Sequence, residues 1–203
     1  MKSIDGHIIT KIKKAKGGSL FFIEDFLRFG SSEAIRKALE RLVKKGEISR
    51  VARGIYARLK THDVFGEIQP STDAIAKAIA KRDKARIIPT GVLALNAPGL
   101  STQVPMKAVY LTDGSARTVT VGKRTIKFKK SSPRNFRAIG EINKLVIQAL
   151  KEIGKDNVTD EEIKIILKHL ENQESHILEH DIKLAPEWIR VIMRRALKEI
   201  EDE

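Results

Sequence analysis

The chain has 203 residues, of which 41% are hydrophobic and 32% charged, a globular rather than a disordered balance that suits one large domain or two small ones. It has no cysteine, which excludes disulfides, thiolate zinc sites and cysteine nucleophiles. Its net charge of +13 suggests a polyanion partner, most often nucleic acid, and no apolar run approaches the roughly 18 residues that a bilayer span needs.

The charge is unevenly distributed. Residues 1–60 hold 15 Lys and Arg against 6 Asp and Glu, a net +9. Residues 61–136 hold 13 against 5, a net +8, and residues 137–203 hold 11 against 15, a net −4. Two basic segments thus precede an acidic one. The start, Met1-Lys2-Ser3-Ile4-Asp5, has no apolar signal core behind its charge, so a cytoplasmic protein with no membrane partner is expected.

In the first segment, Asp5 is placed to cap a helix with apolar residues Ile8, Ile9 and Ile12, stopped by Gly17-Gly18. "SLFF" (19–22) reads as a strand and "IEDFLRF" (23–29) as a short helix ended by Gly30. Ser31 or Ser32 then caps a helix whose apolar residues Ile35, Ala38, Leu39, Leu42 and Val43 follow a 3.6-residue period. Its other face carries Arg36, Lys37, Arg41, Lys44 and Lys45, and Gly46 ends it. "EISRVARGIYARL" (47–59) reads as a hairpin turning at Arg53-Gly54. Helix, strand, short helix, turn, helix, hairpin is the order of a winged helix-turn-helix. Ser31, Ser32, Arg36 and Lys37 then fall where residues meet base edges, and Lys44, Lys45, Arg50, Arg53 and Arg58 where they meet phosphates. Tyr56 reads equally as a wing contact or a core residue. A small helical domain with a solvated basic face, or a protein-docking module, is the plainer reading of the same pattern.

In the second segment, "THDVFGEIQP" (61–70) reads as a linker. "STDAIAKAIAKRDK" (71–84) reads as a helix capped by Ser71 or Thr72, with Ile75, Ala76, Ile79 and Ala80 inward. "ARII" (85–88) reads as a buried strand ended by Pro89, and "TGVLALNA" (90–97) as a short helix capped by Thr90 and closed at Pro98-Gly99. "MKAVYLT" (106–112) is a strand turning at Asp113-Gly114. "RTVTVGKRTIKF" is a hairpin around Gly122-Lys123, with Val119, Val121, Ile126 and Phe128 alternating. "KFKKSSPR" (127–134) reads as a basic loop.

The third segment reads as helical: 138–153, ended by Gly154; a helix through Leu170 opened by a Thr159–Glu162 capping box; and 186–200, opened by Pro186 and burying Trp188, Ile189, Ile192, Met193 and Ile200. The acidic end "EIEDE" opposes the helix dipole, so fraying is expected there. The predicted fold class is α+β: an N-terminal winged helix-turn-helix (1–60), a small mixed α/β domain (61–136) and a C-terminal helical segment packing on it (137–203).

Motifs for chemistry are sparse. "GKRT" (122–125) ends like a phosphate loop, but Arg117 stands where the upstream glycine belongs and the context is a hairpin. His176 and His180 share the i, i+4 spacing of metal ligands without a third ligand, which favours a solvated helix face over a metal site. No Ser or Thr has a base at a motif spacing, and residues 61–136 offer only Asp63, Glu67, Asp73, Asp83, Asp113 and His62. A non-enzymatic protein with no cofactor and no metal is expected.

The stretch "SSEAIRKALERLVKKGEISRVARGIYAR" resembles the head of antitoxins of the AbiEi family, of the abortive-infection AbiE type. "RIIPTGVLALNAPGLSTQVPMKAVYLTDG" (86–114), followed by "RTVTVGKRTIKFKK", resembles the antitoxin-associated domain that follows that head in one branch of the family. The resemblance covers about residues 1–150. It implies an antitoxin of a type IV toxin–antitoxin system with two jobs. The head would act as a transcriptional repressor of its own operon, binding inverted repeats in upstream double-stranded DNA, which would pair two copies by symmetry. The body would counter a nucleotidyltransferase-like toxin, directly or indirectly. The family's DNA-contacting role falls on Ser32, Arg36, Lys37 and Arg41 of the helix and on Arg50, Arg53 and Arg58 of the wing. "PTGVLALNAPGLSTQVP" invites a body site at Thr90, Asn96, Ser101, Thr102 and Gln103, although Thr90 and Ser101 also sit where caps and turns are expected. The alternatives are a winged-helix transcriptional regulator with a ligand-sensing or dimerisation body and no toxin partner, and an enzyme whose head delivers it to nucleic acid.

Overall fold

The computed structural model describes residues 3–64 and 66–201, with side chains described through Lys198. The expected burial of Ile200 and the expected fraying of the last residues lie outside the described side chains. The chain forms two compact units, residues 1–79 with 119–125, and residues 80–118 with 126–203.

The first unit opens with α1 (Ile4–Lys14). Its cap is Ser3, whose hydroxyl accepts from the Gly6 N–H at 3.2 Å; Asp5 lies inside the first turn instead of capping it. The helix ends at Lys14, ahead of the two glycines. Strand β1 (Leu20–Phe22) runs into a 3-10 helix (Ile23–Phe29), pinned where the Asp25 carboxylate accepts from the Phe22 N–H at 2.8 Å. Then come α2 (Ser32–Lys44), β2 (Ser49–Ala52) and β3 (Ile55–Ala57). The strand order is β1-β3-β2, antiparallel, with Phe21 opposite Tyr56 and a register shift between Arg50 and Ala52. Ile8 and Ile12 of α1, Phe26, and Ile35, Ala38, Leu39 and Leu42 of α2 make one buried cluster. Ile35, Ala38 and Leu39 are fully buried, as the helical spacing predicts. This is the winged-helix layout, and Tyr56, 3% exposed, belongs to its core.

Residues 61–70 are not a bare linker. Strands β4 (Lys60–His62) and β5 (Gly66–Ile68) pair antiparallel, Thr61 opposite Glu67, with every described residue exposed. Backbone pairing alone makes this hairpin, so no alternation of polarity betrays it. Helix α3 (Thr72–Asp83) follows, with the Ser71 hydroxyl accepting from the Ala74 N–H at 3.1 Å.

Strand β6 (Ile87–Thr90) begins a four-stranded sheet of order β6-β7-β9-β8, with β7 (Lys107–Thr112), β8 (Arg117–Val121) and β9 (Arg124–Lys130). Pro89 does not end β6. It pairs with Tyr110 inside it, which a proline tolerates because β6 is an edge strand. Thr90 is also a strand residue, opposite Val109, and the cap of α4 (Val92–Asn96) is Gly91. The expected basic loop 127–134 is mostly regular: β9 runs to Lys130, and a 3-10 helix spans Pro133–Phe136. Helices α5 (Glu141–Ile153), α6 (Asp160–Leu170), α7 (Ser175–Ile182) and α8 (Glu187–Glu201) pack around Val146, Leu150, Ile166, Leu170, Leu178, Ile189 and Met193. Helix α5 starts three residues later than its pattern predicts, and Thr159 and Glu162 form the predicted capping box of α6.

Candidate nucleic-acid interface

Helix α2 buries one face in the first unit and leaves Ser32, Glu33, Arg36, Lys37, Glu40, Arg41, Lys44 and Lys45 exposed. The Ser31 hydroxyl accepts from the Ala34 N–H at 3.3 Å, so it is taken up by the cap, while Ser32 stands free as the first helical residue. The cations differ in what already holds them. Lys37 lies 2.9 Å from Glu33 one turn earlier. Arg41 grips Asp5 with both arms of its fork, Nη2 to Oδ1 at 2.6 Å and Nε to Oδ2 at 3.1 Å, tying α2 to α1. That hydrogen bond, with the charges of Arg41 and Lys45, holds the Asp5 carboxyl below its ordinary range against the opposing effect of burial. Arg36, Lys44 and Lys45 have no ion pair among the described residues.

The wing carries Arg50, opposite Tyr56 in register, and Arg53 at its turn, both exposed. Burial pushes the Tyr56 hydroxyl pKa up, opposed by the charges of Arg50 and Arg36, so cations from helix and wing reach one neighbourhood. Arg58 lies beyond β3, half-buried, its carbonyl accepting from the Gly18 N–H at 3.0 Å. It lines a polar depression of about 550 Å³ with Gly46, Glu47, Lys60 and Glu67. The sequence-predicted set is therefore brought together on α2 and the wing except for Arg58.

Sequence reasoning missed a second cationic surface of this unit. His7, Lys11 and Lys14 of α1 line a depression of about 260 Å³ with Thr10, Arg28 and Phe29. The His7 and Phe29 rings stack at 5.2 Å, and the Arg28 guanidinium lies 4.6 Å from the Phe29 ring centre. The 4, 3 spacing of His7, Lys11 and Lys14 was a legible signal of one helix face.

The body candidates are largely occupied with loop structure. Asn96 Nδ2 donates to the Gln103 carbonyl at 2.7 Å, and the Ser101 hydroxyl accepts from the Gln103 N–H at 3.2 Å. Thr102 and Gln103 are exposed, and Thr90 sits in β6. On α7, His176 lies near Glu174 and His180 on Asp181. Among the described residues no three His, Cys, Asp or Glu side chains converge to hold a metal, and no helix is long and apolar enough to cross a membrane.

Residues 7–178 match the model of a family of unknown function, DUF6088. The chain belongs to that family. No curated protein matches it.

Proposed function

We propose that this member of the DUF6088 family is a DNA-binding antitoxin that represses its own operon and neutralises a nucleotidyltransferase-like toxin. The observation that carries the DNA half is the exposed cationic face of α2 beside a wing with Arg50 and Arg53. Arg36, near the start of α2, would make a bidentate guanine contact, and Lys44, Lys45, Arg50 and Arg53 would meet phosphates. Arg41, already held by Asp5, acts mainly by fixing the angle between α1 and α2. The antitoxin half is supported by the resemblance of residues 86–130 to the antitoxin-associated domain.

The test is fluorescence anisotropy of the full-length protein on its own upstream DNA and on a scrambled duplex across a salt series. The expected preference is ~10³-fold or more for the upstream DNA, lost in Arg36→Glu. Equal binding to both duplexes, falling steeply with salt, would reduce the head to a generic polyanion surface.

A further inference from the structure

The second unit holds a cationic depression that the DNA reading leaves unused. The 3-10 helix Pro133–Phe136, one face of α5 and Leu184 wall it, and its lining includes Arg134, Asn135, Lys144, Gln148 and Lys151. The Lys151 ammonium has a lowered pKa, first because it has lost part of its hydration and second because Arg134 is beside it, although the residue as a whole is exposed. Among the described residues its hydrogen-bond partner is a neutral amide, Asn135 Oδ1 at 3.4 Å, and the Arg134 side chain has none. Lys144 pairs with Glu141, itself largely exposed. Gln148 is only 5% exposed and lines the depression; its side-chain amide makes no hydrogen bond to another described residue and is open to solvent there.

Cations gathered without a carboxylate between them are costly. An anion with several acceptor oxygens relieves that cost and gives the Gln148 amide a partner. The enclosed space, about 10 Å³, holds roughly one water-sized group, so one oxygen of a tetrahedral anion enters it while the rest of the anion stays at the mouth. We infer that this depression binds a single phosphate or phosphoryl group, with Arg134 and Lys151 supplying charge and the Gln148 side-chain amide an N–H donor. Arg and Lys to phosphate are charge-assisted hydrogen bonds, among the stronger polar contacts a protein makes. The group has two chemical sources, a nucleic-acid backbone or a free phosphorylated ligand. The site does not depend on the head binding DNA.

The test is an NMR titration of the isotope-labelled full chain with inorganic phosphate, against sodium chloride at matched ionic strength. The expected result is saturable shifts at the Gln148 side-chain amide and at backbone amides of residues 134–138. Affinity should fall about tenfold or more in the Arg134→Gln, Lys151→Met double variant, as loss of charge-assisted contacts requires. Lys155→Met, removing an exposed cation outside the depression, should leave it unchanged. The spectra themselves report whether each variant is folded. Equal shifts with chloride, no response at Gln148, or full affinity in the double variant would each overturn the inference. A short duplex then separates the sources. If it competes with phosphate, and the double variant lowers the log–log salt slope by about 2, the source is the nucleic-acid backbone. If phosphate stays bound beside it, the source is a free phosphoryl group.

Discussion

Asp5 and Arg41 stand 36 positions apart and form a two-pronged ion pair that joins α1 to α2. A second such tether is Asp113, which accepts from both the Arg86 backbone N–H and its Nε at 2.7 Å. Burial works to raise the Asp113 pKa, but the hydrogen bonds and charge of Arg86 outweigh it, so its carboxyl, like that of Asp5, titrates below the ordinary 3.8. A carboxyl with a depressed folded pKa stabilises the fold above its unfolded pKa, and that contribution disappears as pH falls through the folded value. Both tethers are therefore present at neutral pH and fade in acid below about pH 4. Asp5→Asn should lower the urea midpoint modestly at pH 6, since Arg41 is half exposed and solvent screens the pair. The gap from the unsubstituted protein should close near pH 2; a gap that persisted there would mean Asp5 acts by packing instead of charge. The cations were legible residue by residue in the sequence. Which of them were already held was not, because Asp5 reads locally as a cap.

At the scale of the element, α5 shows how the backbone entering a helix can be pinned from a distance. Its cap, Gly140, has no side chain to satisfy the first N–H groups. Asp181, fully buried on α7, accepts from the Ile139 and Gly140 N–H groups at 2.8 Å each and from Asn143 Nδ2 at 2.9 Å. His180 Nδ1 lies 2.8 Å from the same carboxylate. This fit also explains the glycine, because a Cβ there would sit 2.5 Å from Asn143 Nδ2 and 3.1 Å from Asp181 Oδ2. Asp181→Ala should cost about 3 kcal/mol in chemical denaturation, since it orphans several buried donors. Gly140→Ala should cost about 1–3 kcal/mol by overpacking. A midpoint unchanged in Asp181→Ala would show that water replaces the carboxylate. Elements with a strong local signal were legible: the apolar stripe of α2, the capping box of α6, the β8–β9 hairpin. Those without one were not. The all-exposed β4–β5 hairpin has no alternation, and Pro89 ends a strand in any local reading unless that strand is known to be an edge.

For the whole molecule, the division of charge along the chain bears on the proposed division of labour. The winged-helix segment carries a net +9 and the last third a net −4. If the head reads DNA and the body opposes the toxin, Arg53→Glu should weaken operator binding by anisotropy and leave rescue from the co-expressed toxin intact. Loss of rescue upon removal of the head alone would refute that division. Family membership over residues 7–178 spans both units, so their combination in one chain is a property of the family and not of this member alone.

The sequence by itself determined the basic character, the lack of thiol chemistry, the α+β class and the winged-helix order of the head, because these depend on composition and on periodicities a few residues long. Only the tertiary structure decided that Arg41 is held while Arg36 has no ion pair among the described residues, that Asp181 pins the backbone entering a helix 41 residues earlier, and that Arg134, Gln148 and Lys151 share one depression. Those facts belong to pairs of residues far apart in the chain. Their distances are set by how the cores around Leu39 and Leu150 pack, and local patterns of polarity do not encode them.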